Sequence, residues 1–184
     1  MGMLLAFAPF IAFALVDRMI GASEGLLAGA AVSAALLARD WISADRSPKI
    51  QEIGTFVLFA GLALYSFIGR PAWSIVGVRL CVDAGLLVIV LVSVTVGRPF
   101  TLQYAKETVA PELWSSPQFA RTNMVITAAW AVALTLLVVA DIVMLAMPEV
   151  PHRFGIILTI AALVGAVKFT DWYPRSTGPQ KTEE

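Results

Sequence analysis

Residues 78–90, VRLCVDAGLLVIV, are apolar apart from Arg79 and Asp83, four positions apart. With its flanks the run covers residues 72–96, and a bilayer core of ~30 Å needs ~20 helical residues. Read as a membrane span, the stretch carries a cation and an anion where neither is cheap. A central charge costs about 2.5–3.5 kcal/mol on insertion scales, so charged side chains in spans pair with one another or face a polar route.

The rest of the chain has the same character. Of 184 residues, 59% are hydrophobic and only 14% charged, with a mean hydropathy of +0.82. A soluble domain of this length needs more polar surface than that. Five further apolar runs join the first: residues 3–21, 23–41, 48–69, 117–147 and 152–171. The expected fold is an all-α membrane protein, a bundle of six transmembrane helices. Residues 1–175 form one transmembrane domain and residues 176–184 a polar cytoplasmic tail. The first run, within MGMLLAFAPFIAFALVDR, lacks the basic leader of a signal peptide and is expected to be a retained span.

Local chemistry marks the helix ends. Ser47-Pro48 and Ser116-Pro117 each place an N-cap before a proline at the first helical position. Gly-Arg-Pro occurs at residues 69–71 and 97–99. There each glycine suits the left-handed position after a helix, and each proline blocks continuation. Small residues recur every fourth position at Gly21, Gly25, Gly29 and Ser33, and again at Gly77, Cys81 and Gly85. Such rows permit close helix approach in lipid, and intrachain packing is the expected use.

Charge orients the stack. Six spans put Arg39, Arg46, Lys49, Arg98, Lys106, Arg121, Lys168, Arg175 and Lys181 on one side, against Arg18, Arg70 and Arg153 on the other. The positive-inside rule then places both termini in the cytoplasm of a bacterial inner membrane. Trp41, Trp114, Trp172 and Tyr173 fall near that interface and Trp73 near the outer one.

Arg79 enters the fourth span about 9 Å from its outer end, six residues on from Trp73. Asp141 sits six residues from the outer end of the fifth. The two are therefore expected at one depth and face to face, with Asp83 a turn deeper. Arg79, Asp83 and Asp141 form the candidate binding site or proton or ion pathway. A buried ion pair that fixes helix register is the structural alternative. Asp17 and Arg18 are expected at the interface, and Glu52 and Lys168 are expected to clamp two helices at the cytoplasmic side.

Between the fourth and fifth spans lies GRPFTLQYAKETVAPELWSSPQFARTN, residues 97–123. Pro99 opens and Pro111 closes a short interfacial helix with Phe100 and Tyr104 on one side. Arg98, Tyr104 and Lys106 are its candidate headgroup or ligand contacts.

Catalytic chemistry ranks last. His152 and Cys81 are the sole residues of their kinds, no nucleophile or phosphate-loop motif occurs, and no cofactor or metal is expected. The net charge of zero gives no field for nucleic acid. Expected partners are the lipid bilayer, a small solute or ion, and a second copy of the chain in a homodimer. A water-accessible cavity reaching Asp83 would favour permeation, whereas a closed bundle would favour a scaffold.

Three stretches carry a family resemblance: FAPFIAFALVDRMIG at 7–21, IGTFVLFAGLALYSFIG at 53–69, and ELWSSPQFARTNMVITAAWAVALTLLVVADIV at 112–143. The layout resembles bacterial intracellular septation protein A and related six-span inner-membrane proteins. The resemblance implies a non-enzymatic cell-envelope role and assigns no functional residue. Where that family has a short acidic and lysine-rich ending to the third span, this chain has Gly69-Arg70-Pro71.

Overall fold

A computed structural model describes residues 5–43, 49–147 and 149–177, without the side chains of His152 and Thr177. All regular structure among them is helical. The helices are α1 (Ala8–Met19), α2 (Ala22–Ile42), α3 (Ile50–Gly69), α4 (Ile75–Thr95), α5 (Phe100–Ala105), α6 (Pro117–Ala146) and α7 (His152–Thr177). A single 3₁₀ turn, Pro111–Leu113, precedes α6. Five of them, α2, α3, α4, α6 and α7, are long and apolar enough to cross a membrane. α1 has 12 residues, about 18 Å of helix, and falls short of that length. Pro9 sits in its first turn, where a proline suits a helix start.

The ends of the helices follow the sequence chemistry in part. Ser116 caps α6 by accepting from Phe119 N at 3.1 Å, with Pro117 in the first turn. Ser74 caps α4 in the same way through Gly77 N at 2.9 Å. Gly97 takes the left-handed position, φ +71°, after α4. At the other Gly-Arg-Pro the assignment needs correction. Gly69 completes α3, and Arg70 takes the left-handed conformation at φ +41°. The helix runs one residue further because Arg70 N still reaches Ser66 O at 3.1 Å. Ser47-Pro48 lies outside the described residues. α3 opens at Ile50, whose N–H donates to Gln103 Oε1 of α5 at 2.9 Å, a tertiary contact at the helix start.

Neighbouring helices pack in chain order: α1 on α2, α2 on α3, α3 on α4, α4 on α6 and α6 on α7, with α5 lying against α6. The small-residue rows serve this packing. A Cβ on Gly25 would meet Phe13 O and Asp17 of α1 at about 3 Å, and one on Gly29 would enter the Phe59 ring of α3 at 2.6 Å. Gly85 of α4 gives way in the same manner to Leu58 of α3.

Two buried apolar clusters result. One gathers Phe13, Leu26, Phe59, Ala63, Val78 and Val82. The other gathers residues such as Leu86, Val90, Phe100, Trp130, Leu134 and Leu137 around α6. α1 bridges them: Phe10 packs on both, and Phe7 stacks on Trp130 with ring centres 4.7 Å apart. Much of the outer surface is apolar, with Ile11, Val57, Leu64, Val132 and Ile157 all exposed, as lipid contact would have it.

Candidate functional site

Arg79 projects from α4 toward α6 and α7. Its Nε lies 3.2 Å from Asp141 Oδ1 and 3.7 Å from Asp83 Oδ2. Its Nη2 donates to Thr159 Oγ1 at 2.6 Å, and that hydroxyl donates to Gly155 O at 2.8 Å. The i, i+4 spacing brings Asp83 beneath Arg79 on the same helix. Matched depth on the next long helix brings in Asp141. The structure thus places Arg79, Asp83 and Asp141 together, one guanidinium facing two carboxylates, and adds Thr159, which the sequence reading did not single out.

The three differ in exposure in a way that matters. The Asp141 side chain is 0% exposed, Asp83 14% and Arg79 27%. Neither oxygen of Asp141 has a hydrogen-bond partner among the described residues. The nearest cation to it is the Arg79 guanidinium, in a medium where charge interactions are strong. Beside it lies a cavity of about 610 Å³ walled by α1, α4, α6 and α7. Arg79, Asp83 and Thr159 supply its polar end, and Phe7, Phe10, Phe13 and Trp130 supply much of the rest. That volume is within the range of small-molecule sites.

A second buried polar cluster lies at the start of α3. Lys49 Nζ contacts Asp40 Oδ2 at 2.7 Å, Glu107 Oε1 at 2.9 Å and Glu52 Oε1 at 3.5 Å, and sits 5.0 Å from the centre of the Tyr104 ring. Arg39 braces Asp40 from the outside at 2.7 Å. Tyr104 donates to Glu52 Oε1 at 3.3 Å. Gln51, Thr55 and the Oε2 atom of Glu52 have no hydrogen-bond partner among the described residues.

This arrangement corrects two expectations. Glu52 pairs with Lys49 rather than Lys168, because α7 turns Lys168 outward to an exposed position. The short helix α5 begins after Pro99 as expected but ends at Ala105, well before Pro111, which opens the 3₁₀ turn, and Tyr104 is buried and engaged with Glu52. Arg98 and Lys106 are exposed, and Lys106 lies over the Trp114 ring at 5.2 Å. The three therefore do not converge on one ligand. A cavity of about 350 Å³ beside α5 is lined by Tyr104, Thr101, Asn123 and Thr170, without Arg98 or Lys106. Asp17 is half-buried, with its Cβ against Gly25, and Arg18 is exposed.

Burial, then the neighbouring Glu52 charge and hydrogen bond, push the Tyr104 hydroxyl well above the ordinary phenol value of 10.0. The neutral phenol is the form the fold favours. Its contribution is complete below the unfolded value and is lost as the pH rises beyond it. In an alkaline absorbance titration, Tyr104 should resist ionisation until the chain unfolds. Tyr104→Phe should remove that late phase. Ionisation of Tyr104 before the chain unfolds would show that it meets solvent.

Comparison with protein-family models, with curated proteins and with solved structures gives no match. The site's geometry carries the functional argument.

Proposed function

We propose that the chain is a six-span bacterial inner-membrane protein, both termini cytoplasmic, that passes a proton, ion or small solute by way of Arg79, Asp83 and Asp141. The observation that carries this reading is the cavity of about 610 Å³ that reaches Arg79 and Asp83 and backs onto the fully buried Asp141. A register-fixing ion pair needs one cation and one anion. Here a second carboxylate is placed beside the pair, at the wall of an open space, and intramembrane ionisable groups in such positions are the usual elements of ion and proton routes. The alternative, a cell-envelope scaffold of the septation-protein type, calls for a closed bundle and gives the surplus carboxylate no task.

In this reading α1 belongs to the first span, and it docks on the bundle by laying Phe7 on Trp130. α5 lies at the cytoplasmic interface, fastened to α3 by the Lys49 cluster.

Flux into proteoliposomes tests the proposal. Wild type, Arg79→Ala and Asp83→Asn are reconstituted at equal density, and proton entry is followed with an internal pH dye alongside uptake of a panel of labelled small solutes. At least one flux should fall tenfold or more in both variants. Equal fluxes for all three proteins, for protons and for every solute, would remove the case for this route.

A further inference from the structure

We propose that the cavity beside Arg79 and Asp83 takes a lipophilic organic cation, a monovalent ammonium or phosphonium with aromatic or branched apolar substituents. The inference deepens the permeation reading above and rests on it. Three features of the cavity select this class.

Charge is the first. One guanidinium faces two carboxylates, so the ionised cluster carries one negative charge in excess. The guanidinium is partly engaged: Nε faces Asp141 and Nη2 donates to Thr159. Asp83 is the carboxylate that borders the cavity, while Asp141 stands behind it, fully buried and without a hydrogen-bond donor among the described residues. With both acids ionised an anionic ligand meets repulsion here, and a cation supplies the counter-charge that a proton otherwise supplies.

The walls are the second. Phe7, Phe10, Phe13 and Trp130 present aromatic rings to the space, and ring faces attract a cation whose hydration shell has been removed. Apart from the Asp83 carboxylate and the Thr159 hydroxyl, the lining offers few oxygen atoms. A bare alkali or alkaline-earth ion needs six or so oxygen ligands, and among the described residues no group of three acidic, histidine or cysteine side chains could hold a metal. An organic cation needs one counter-charge and apolar contact, which is what the lining supplies.

Position is the third. The cavity occupies the gap between α1 and α7, two helices that do not pack along one another. A molecule with apolar substituents can reach such a gap from the bilayer, where it concentrates.

Tetraphenylphosphonium and tetraphenylborate share a shape and differ in sign, so they separate charge recognition from apolar adsorption. Equilibrium binding of each is measured on the full chain in detergent micelles, with protein-free micelles as the blank. Wild type should bind the phosphonium and exclude the borate. Asp83→Asn should weaken phosphonium binding at least tenfold, and Asp83→Glu should retain it. Ala14→Leu, which fills part of the cavity without altering charge, should weaken it as well. Thermal unfolding of each variant excludes misfolding as the cause. Acid should also weaken binding, since protons compete for the carboxylates; the ionisable groups facing Asp83 are Asp141 and Arg79.

Equal binding of both ions, or no effect of folded Asp83→Asn, overturns the inference. If the phosphonium fails to bind while flux still depends on Asp83, the ligand class is wrong and the permeation reading stands. If both binding and flux are lacking, both fall.

Discussion

Replacing Arg79 by methionine should lower the stability of the folded chain by about 3–5 kcal/mol, the usual cost of stripping one partner from a buried pair. The substitution keeps an unbranched chain of similar reach and removes the charge. Asp141 is then left with no cation at 0% exposure, with Asp83 as its nearest ionisable neighbour. The effect should be read from unfolding in mixed micelles titrated with dodecyl sulfate. Removing the surplus anions as well, in Arg79→Met with Asp83→Asn and Asp141→Asn, should recover most of the loss, because a neutral site no longer demands a counter-charge. A loss of under about 1 kcal/mol for Arg79→Met would place the cluster in the range of solvent-screened pairs and outside the interior.

Lys49→Met should cost about as much, roughly 3 kcal/mol or more. Lys49 is 5% exposed and serves three carboxylates at once. Without it Asp40, fully buried, retains Arg39 on its outer side. Glu52 keeps Tyr104 as its donor. Lys49→Arg should restore only part, since a planar fork does not occupy the place of a compact ammonium over the Tyr104 ring. Glu107→Gln offers the control within the same cluster. Its side chain is 31% exposed, and losing it should cost under about 1 kcal/mol. Similar losses for the Lys49 and Glu107 variants in the same unfolding assay would contradict the burial described for Lys49.

The Arg79–Asp141 contact could be anticipated from sequence because depth in a membrane is countable. Arg79 lies four positions from the start of α4 and Asp141 five from the end of α6, and consecutive spans run in opposite directions. Ser116-Pro117 and Gly97 were legible for the same reason, since a cap and a left-handed turn depend on a few adjacent residues. The Lys49 cluster was not. Asp40, Lys49, Glu52 and Glu107 come from the end of α2, the start of α3 and the residues just after α5, and each alone looks like an ordinary charge at a helix end. Nothing local indicates that α5 folds back to place Gln103 and Tyr104 on the first turn of α3. Thr159 was hidden differently. A lone hydroxyl in an apolar helix gives no signal, and its role appears only once α7 is packed against α6. The cavity was equally out of reach, since it is the space left by helices that fail to meet.

The central claim is that a charged molecule enters the space beside Arg79 and Asp83. Leu163 lines that space and lies near the middle of α7. In a chain with Cys81→Ser, which removes the native thiol, the Leu163→Cys variant is treated in proteoliposomes with a small cationic thiol reagent that partitions into the bilayer. Rapid modification is predicted, slowed by Asp83→Asn. A thiol that stays unmodified in the membrane, yet reacts fully once the protein is unfolded in detergent, would contradict the account.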